Sequence, residues 1–156
     1  MAPQDREIRL ELASGAHAEV IAGLHAACFD EAWDSQSMAG MLSMPGCIAL
    51  IAQTDSGPAG CIVCRVAADE AEVLTVAVLP EQRRDGIGAA LLAAAERNAV
   101  QLGAATMFLE AAEDNAAALT LYASQGYAGF GRRQGYYRRG AGKAVDAVLM
   151  NKKLEV

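Results

Sequence analysis

The sequence predicts an α/β fold: a mixed, mostly antiparallel central sheet of about seven strands, with about four helices on its faces. Two features predict it. Segments of strand length and segments with helical spacing alternate along the whole chain, and one strand, glycine turn, helix and strand unit requires a parallel pair between the fourth and fifth strands. The length of 156 residues suits a single domain spanning residues 1–156, since no repeat or linker divides the chain.

The first part of the chain is predicted to form one strand and two helices. Residues 8–12 alternate polar and apolar side chains, as a short strand does. Ser35 is placed to cap a second short helix that ends before Pro45-Gly46, and Trp33 lies in the polar connection before it. The first helix is indicated by four apolar residues at helical spacing, Val20, Ile21, Leu24 and Cys28.

Residues 47–79 are predicted to form three consecutive strands. Residues 47–53 and 60–67 are apolar runs joined through the turn-forming sequence Asp55-Ser56-Gly57-Pro58, which indicates a hairpin. Residues 70–79 continue as the next strand, and Pro80 ends it because proline lacks the N–H that a strand ladder needs.

The remaining chain is predicted to alternate helices and strands. An alanine-rich crossover helix ends at Gly103, and residues 106–110 return as a strand parallel to the one before the helix. Asp114-Asn115 can cap a further helix that reaches Gln125. Residues 127–133 and 145–154 are the last strands, connected by residues 134–143. The buried stripe of the crossover helix is predicted to be Ile87, Leu91, Ala95 and Leu102.

Composition and charge argue against several classes of protein. A formal net charge of −6 disfavours a general nucleic-acid binder, despite three arginine doublets. No apolar run approaches the roughly 20 residues that a membrane span requires. The polar N-terminus contains no apolar secretion segment. We therefore expect a cytoplasmic protein with no membrane partner and no nucleic-acid partner.

The cysteines and histidines form no pattern that predicts a metal site. Cys61 and Cys64 lie three residues apart in a predicted strand, so their side chains point to opposite faces and cannot chelate one ion. His17 and His25 have no cysteine or carboxylate at ligand spacing. We expect small buried thiols and no metal.

The most informative motif is the glycine turn Arg83-Arg84-Asp85-Gly86-Ile87-Gly88, which follows a predicted strand and opens the crossover helix. N–H groups in the first turn of a helix have no helical partner, and the helix dipole adds partial positive charge there. The turn is therefore suited to an anion such as a pyrophosphate. A dinucleotide-binding fingerprint would need a third glycine at Leu91, and a Walker A loop would need a Lys-Ser/Thr end. An ordinary strand-to-helix turn remains the alternative.

The pattern Arg-x-x-Gly-x-Gly, followed by a small residue, resembles the acetyl-CoA loop of the GNAT N-acetyltransferase superfamily. The predicted order of strands and helices is also similar to the GNAT arrangement over essentially the full length. The resemblance implies the GNAT fold, with acetyl-CoA as the co-substrate.

Acetyl transfer to an amine requires a base for the amine and a proton for the departing thiolate. An α-amino group has a pKa of roughly 7.7 to 8, so most of it is protonated at neutral pH. Glu110 is predicted at the end of the strand after the crossover helix, where ligand-binding groups collect, and can serve as the base directly or through water. Tyr122, on the next helix, can protonate the coenzyme sulfur. Taken singly, a solvated carboxylate and a core-packing tyrosine remain the alternatives.

Several segments of the C-terminal half match a narrower pattern. They are Phe108-Leu109-Glu110, Asn115-Ala116-Ala117-Ala118, Leu121-Tyr122, Gly126-Tyr127, Gly131-Arg132-Arg133-Gln134-Gly135-Tyr136-Tyr137 and Asp146-Ala147-Val148-Leu149-Met150. They resemble the bacterial ribosomal-protein-alanine N-acetyltransferases. This resemblance implies that Glu110 is the proton acceptor, that Tyr122 is the proton donor, and that the N-terminal alanine of small-subunit ribosomal protein S18 is the substrate. The implied coenzyme-binding residues are Val76, Ala77, Val78, Arg84, Asp85, Gly86, Ile87, Gly88, Ala89 and Asn115.

Aromatic residues are expected to hold the acceptor. Tyr136 and Tyr137 fall close to where the narrower family admits a peptide N-terminus, and Trp33 is expected to form the opposite wall. Ordinary packing of the final hairpin is the alternative.

Two positions depart from the family. Ala111-Ala112-Glu113 lacks the basic residue that commonly follows the glutamate, which bears on peptide preference. Asp85 places a carboxylate in the loop, and we expect it to weaken the attraction of a pyrophosphate unless it points outward to solvent.

Two other functions fit the same pattern. One is a small-molecule amine acetyltransferase on the same fold. The other is a non-catalytic acyl-CoA-binding domain, against which the presence of both Glu110 and Tyr122 counts.

Overall fold

The computed structural model describes residues 7–155, and the strands of this part form one seven-stranded sheet. The strands are β1 (Arg9–Leu12), β2 (Cys47–Thr54), β3 (Gly57–Ala67), β4 (Glu70–Val78), β5 (Thr106–Ala112), β6 (Ala128–Arg139) and β7 (Lys143–Lys153). The helices are α1 (Ala18–Cys28), α2 (Ser35–Leu42), α3 (Ile87–Gln101) and α4 (Ala116–Ser124), with short 3-10 helices at Gly15–His17 and Pro80–Gln82. None of the helices described is both long and apolar enough to cross a membrane.

The sheet has the strand order β1-β2-β3-β4-β5-β7-β6. Within residues 7–155, β4 and β5 form the one parallel pair, and all other neighbours are antiparallel. The crossover through α3 explains the parallel pair, because it returns the chain to the end of the sheet where β4 begins. The predicted mixed, mostly antiparallel sheet with a parallel β4–β5 pair is confirmed.

Helices cover both faces of the sheet. α3 and α4 pack on one face around a core that includes Leu91, whereas α1 and α2 pack on the other around a core that includes Ile21. Alternation along β3 sends Cys61 to the α1–α2 core and Cys64 to the α3–α4 core, as predicted. Both thiols are fully buried, and burial raises the pKa of Cys61 to about 12.

β4 and β5 separate soon after they meet. Their ladder ends where Glu72 faces Phe108, although both strands continue beyond this pair. A register shift against β3 leaves Leu74 as an extra residue in β4. Such a bulge bends a strand and increases its twist, and this one lies just past the last β4–β5 pair. The two strands therefore enclose a gap that opens beyond Glu72.

β6 differs most from the prediction. Residues 134–143 were expected to be a connection, but β6 continues to Arg139 and the hairpin turn covers only residues 140–142. Glycine has little preference for strands, and pairing with β7 overrides that local tendency. Every other strand or helix boundary lies within three residues of its predicted position.

A wide bulge interrupts β6. The register passes from Arg133 to Tyr137 while β7 advances by two residues, so residues 134–136 oppose Asp146 alone. Gly135 adopts a φ of +60°, and its N–H donates to Oδ1 of Asp146 at 2.9 Å. The bulge is therefore held by a side chain of the partner strand.

Two local predictions were wrong. Asp34, not Ser35, caps α2, because Asp34 Oδ1 accepts a hydrogen bond from the Ser37 N–H at 2.7 Å. Leu102 was predicted to be buried but is 54% exposed, since α3 ends at Gln101 and Leu102 lies beyond its last turn.

Candidate active site

The glycine turn leads from the end of β4 into α3. The φ of Arg84 is +71° and the φ of Gly86 is +81°, so the chain enters the left-handed region twice within three residues. The Gly86 carbonyl accepts the first hydrogen bond of the helix. The N–H groups that consequently lack a partner within the helix are those of Ile87, Gly88 and Ala89. Three such donors at the positive end of a 15-residue helix suit an anionic group.

The two glycines of the turn have different surroundings. A Cβ on Gly86 would meet no atom within 4 Å, so glycine is required there for its positive φ and the position stays open to a ligand. A Cβ on Gly88 would lie 2.9 Å from Cδ2 of Leu121. Glycine at position 88 therefore lets α3 pack closely against α4, in addition to the role expected of its N–H.

The charged residues of the turn lie at the surface. Arg83 Nε donates to the Val78 carbonyl at 3.0 Å, and Cys28 Sγ donates to the same oxygen at 3.3 Å. These bonds fasten the turn and the end of α1 to the end of β4. Arg84 and Asp85 are both exposed, so water and salt screen their charges. The weakening effect expected of Asp85 stays a prediction.

The main chain of β4 faces the gap at Val76 and Val78. Leu79 N–H donates to the Ala59 carbonyl at 2.9 Å, so Val78 is a strand position whose own groups point away from β3. Strand alternation gives Val76 the same direction, whereas Ala77 directs its main chain to β3 and buries its side chain in the α1–α2 core. The peptide groups of Val76 and the N–H of Val78 form an edge that can pair with an extended, amide-containing chain such as the pantetheine arm of coenzyme A, while the Val78 carbonyl is already engaged by Arg83 and Cys28.

Asn115 sits where β5 gives way to α4. Its Oδ1 accepts a hydrogen bond from the Ala118 N–H at 3.1 Å, which caps the helix as predicted. Its own N–H donates to the Ala112 carbonyl at 2.9 Å. The side chain is exposed, and its amide nitrogen makes no hydrogen bond to residues 7–155, so this donor is available to a ligand.

Tyr122 has a buried ring and a hydroxyl that makes no hydrogen bond to a described residue. The residue is 5% exposed and packs edge-to-face on Tyr127 at 6.2 Å between ring centres. No enclosed side-chain oxygen in residues 7–155 lacks a partner, so the Tyr122 oxygen retains an exposed surface. Burial, with smaller effects from Tyr137 and Cys64, raises the pKa of Tyr122 to about 12. The phenol is therefore protonated at neutral pH and able to donate.

Glu110 lies on the sheet face opposite to α3 and α4, since its neighbours Leu109 and Ala111 point into the α3–α4 core. Its side chain is 24% exposed, and its Oε2 is 3.5 Å from Nε of Arg133. β5 continues for two residues beyond Glu110, so Glu110 lies inside the strand. The prediction that it lies at the end of the strand was wrong.

Tyr137 interacts electrostatically with both Glu110 and Tyr122. Burial raises the pKa of Tyr137, and the charge of Glu110 adds to the effect. Tyr137 in turn contributes to the raised pKa of Tyr122. Tyr137 therefore lies within electrostatic range of both Glu110 and Tyr122.

The α1–α2 connection is organised by His25, which the sequence analysis did not select as a site residue. His25 is buried; its Nδ1 accepts a hydrogen bond from the Trp33 N–H at 3.2 Å, and its ring stacks on Trp33 at 4.7 Å. Burial lowers the pKa of His25, which favours the neutral form that can accept this bond. The contact between His25 and Trp33 spans the connection between two helices, so the two residues are not spaced as neighbours on one helix or one strand. The sequence therefore contains no periodic pattern that would predict it.

Tyr136 and Tyr137 follow the bulge in β6. Their rings meet edge-to-face at 5.1 Å between centres. The guanidinium of Arg133 lies 5.5 Å from the Tyr136 ring centre, and that of Arg139 lies 5.6 Å from the Tyr137 ring centre. The two tyrosines therefore belong to β6 and are held by arginines on both sides, where the sequence had suggested a connection.

Three chain segments meet at Arg139. Its guanidinium donates two hydrogen bonds to the carboxylate of Asp114, at 3.0 and 3.2 Å, and holds the pKa of that carboxyl below its ordinary value. The charge of Asp30, in the α1–α2 connection, also acts on Arg139. An ion pair therefore joins the start of α4 to the β6–β7 hairpin, and the α1–α2 connection lies within electrostatic range of it.

Residues 111–113, which depart from the pattern of the family, contact the β6–β7 hairpin through Glu113. Glu113 Oε2 accepts a hydrogen bond from Arg132 at 2.7 Å, and its main-chain N–H donates to the Asp146 carbonyl at 2.9 Å. Arg132 also lies 3.6 Å from the Asp146 carboxylate, which itself holds the bulge. The residue after the alanine pair thus ties the end of β5 to the hairpin.

Comparison with known proteins identifies the fold family. The model of the acetyltransferase (GNAT) family matches residues 18–127, which is more than half of the chain. The chain belongs to the GNAT family. The resemblance found in the glycine turn and in the order of elements is therefore confirmed.

Individual relatives refine the comparison. Ribosomal protein bS18-alanine N-acetyltransferase of Escherichia coli strain K12 is 38% identical over 88 residues, which are 56% of this chain and 59% of that relative's length. The crystal structure of the ribosomal-protein-S18-alanine N-acetyltransferase from Escherichia coli superposes with a TM-score of 0.87 at 24% identity, covering 96% of each chain. Arabidopsis thaliana NAA60 in complex with acetyl-CoA superposes with a TM-score of 0.82 at 15% identity, covering 95% of this chain and 99% of that one. Both superpositions show the shared fold.

Proposed function

We propose that this protein is an N-acetyltransferase that moves an acetyl group from acetyl-CoA to the N-terminal α-amine of a protein. One combination of observations supports the proposal: β4 and β5 separate beyond Glu72, the first N–H groups of α3 lack helical partners, and Tyr137 interacts with both Glu110 and Tyr122. A phosphate-binding turn alone would suit many nucleotides. A turn joined by a strand gap to a carboxylate and a protonated phenol suits acyl transfer from a thioester to an amine.

The residues around the gap divide the reaction between them. Acetyl-CoA supplies an activated acetyl group bound to sulfur. Glu110 takes one proton from the ammonium form of the acceptor, and the nitrogen lone pair then forms the new C–N bond. The C–S bond breaks with its electron pair moving to sulfur, and the Tyr122 hydroxyl gives that sulfur a proton. The second proton lost by the nitrogen restores Tyr122, so one proton is released to solvent for each acetyl group moved.

The acceptor we propose is the N-terminal alanine of ribosomal protein S18, in the cytoplasm. Support comes from the 38% identity to an Escherichia coli enzyme that carries this activity in its name. We propose that Trp33, in the α1–α2 connection, and Tyr136 and Tyr137, in β6, offer the flat contact area that an extended peptide needs.

Release of free thiol from acetyl-CoA tests the proposal. The protein is assayed against synthetic peptides that begin with alanine, the same peptides with a blocked N-terminus, and a panel of free amines. We expect thiol release with the open alanine peptides and none with the blocked ones. Saturation by a polyamine or an amino acid, with no response to peptides, would instead establish a small-molecule acetyltransferase. Binding of acetyl-CoA without thiol release for any amine would establish a non-catalytic domain.

A further inference from the structure

A groove of about 360 Å³ lies on the sheet face that carries Glu110. It extends from Glu110 across β5 and β4 to the end of β3, over strands that α1 and α2 leave uncovered. Its wall is formed by side chains that alternate with buried core residues along each strand. The residues that matter here are Arg65, Glu70, Glu72, Phe108, Glu110 and Phe130.

Phe130 is placed in this groove by a second bulge of β6. The register passes from Gly129 to Gly131 while β7 advances by one residue, so Phe130 is an extra residue in the strand. Bulges re-aim side chains and are frequent next to active sites. The ring meets Phe108 edge-to-face at 5.9 Å between centres, yet Phe130 remains 55% exposed. A large apolar surface is thus held open beside Glu110.

The position of this aromatic pair fixes a distance from the reacting amine. Phe108 precedes Glu110 by two residues in β5, which corresponds to about 6.6 Å along a strand. An extended acceptor chain advances by the same amount over two residues. If the first residue presents its amine to Glu110, the third residue lies over Phe108 and Phe130.

The charges of the groove distinguish its occupant from the coenzyme. Glu70, Glu72 and Glu110 contribute three carboxylates to the lining. Arg65 and Arg133 contribute two guanidiniums, and that of Arg133 lies 3.5 Å from Glu110, so the groove keeps a formal net charge of −1. This balance favours a cationic end group over phosphate groups, for which the glycine turn supplies N–H donors. A polypeptide that carries its positive charge at the N-terminus matches the groove and its end at Glu110.

We propose that this groove is the acceptor subsite for the residues that follow the N-terminal one, and that Phe108 and Phe130 select an apolar side chain at the third residue. The inference rests on the proposed function. It assigns to Phe130 a specificity role: the residue improves capture of suitable acceptors without taking part in proton transfer.

Tetrapeptide amides that begin with alanine and differ only at the third residue test the assignment. The value of kcat/KM is measured for leucine, glycine and aspartate at that position, in the wild-type protein, in Phe130→Ala and in Leu102→Ala. Leu102 is a matched control, because it is 54% exposed at the end of α3, outside the groove. An alanine dipeptide amide, which has no third residue, reports whether the variants keep their basal activity.

We expect the wild type to prefer leucine over glycine by about tenfold, the discrimination typical of a small apolar contact, and to disfavour aspartate. Phe130→Ala should bring the leucine-to-glycine ratio close to one, because kcat/KM should fall for the leucine peptide and not for the glycine peptide. Leu102→Ala should keep the wild-type ratio. A wild type indifferent to the third residue, or a preference that survives in Phe130→Ala, would overturn the groove assignment alone. Failure of every peptide with every variant would overturn the proposed function together with it.

Discussion

We call the proposed binding site for acetyl-CoA the coenzyme side and the proposed binding site for the acceptor the acceptor side, and the two are built in different ways. The coenzyme side uses main-chain groups from one continuous part of the chain: the edge of β4, the glycine turn and the start of α3. The acceptor side uses side chains from distant parts, with Trp33 from the α1–α2 connection, Phe108 from β5, and Phe130 and Tyr137 from β6. Main-chain recognition requires a particular local conformation, whereas the acceptor surface requires several elements to be correctly packed.

This difference determines which substitutions should matter on each side. The coenzyme side should respond to changes in backbone freedom, and the acceptor side to loss of single side chains. Glu110 and Tyr122 stand between the two, so their replacement should affect turnover more than the binding of either substrate.

The largest effect is expected for Glu110→Gln. This change keeps the shape of the side chain but removes the proton acceptor, and kcat should fall roughly 10²- to 10⁴-fold. Affinity for acetyl-CoA, measured by calorimetry, should stay within twofold or so of the wild type. Glu11→Gln, on β1 at the far edge of the sheet, is the control and should leave both quantities unchanged. Full activity of Glu110→Gln between about pH 6 and 9 would remove Glu110 from the role of base.

The next largest effect is expected for Tyr122→Phe. Loss of a hydrogen bond to a charged sulfur corresponds to roughly 1.5–3 kcal/mol, or about 10- to 100-fold in kcat. Tyr127→Phe is a matched control, because it removes a hydroxyl that donates to Glu96 at 2.9 Å in the same core. We expect that control to lower the midpoint of thermal unfolding and to keep normal turnover. Normal turnover with weakened coenzyme binding in Tyr122→Phe would contradict the donor role.

Gly86→Ala should weaken coenzyme binding by about tenfold. Alanine at a φ of +81° costs roughly 1–2 kcal/mol. The turn can relieve this strain by changing its conformation, and its N–H groups would then no longer point toward the coenzyme. Gly103→Ala is the control, since Gly103 also has a positive φ, +95°, with nothing within 4 Å of a Cβ. Both variants should lose similar thermal stability, and only Gly86→Ala should lose affinity for acetyl-CoA. Equal affinity of the two variants for acetyl-CoA would contradict a role of the glycine turn in coenzyme binding.

The smallest effect is expected from the titration of His25. Its pKa in the folded protein is lowered from the ordinary value of 6.5, so the unfolded chain binds more protons below that pH. The contribution of neutral His25 to the free energy of unfolding should therefore be fully present above about pH 6.5 and should fall as the pH drops toward the lowered pKa. His25→Asn keeps an acceptor near the position of Nδ1 without titrating, and should reduce the loss of thermal midpoint between about pH 7 and 5 by a few degrees.

His17→Asn is the control for that measurement. His17 accepts a hydrogen bond from the Ser14 N–H through the same ring nitrogen, but it lies in an exposed cap. This variant should retain the pH dependence of the wild type. If the thermal midpoint of His25→Asn fell with pH as much as that of the wild type, the loss of stability at low pH would come from groups other than His25.

Much of the fold followed from the sequence because its signals are local. Proline and glycine mark the ends of β4 and α3, and the asparagine cap at Asn115 marks the start of α4. The long β6 did not follow, because its glycine- and arginine-rich sequence forms a strand only when β7 lies beside it. His25 and Phe130 were missed for a related reason: their partners, Trp33 and Phe108, are brought to them by tertiary contacts.

The sequence by itself determined the strand–turn–helix unit and the residue types that its chemistry needs. A positive φ at Gly86 and a capped helix depend on neighbours only a few residues away, so periodicity and turn residues are sufficient to predict them. The tertiary structure alone decided where β4 and β5 separate, which residues bulge from β6, and that Tyr137 lies in the field of both Glu110 and Tyr122. Strand register is fixed by pairing between distant segments, and a shift of one residue would turn strand side chains such as Glu110 and Tyr137 to the other face of the sheet.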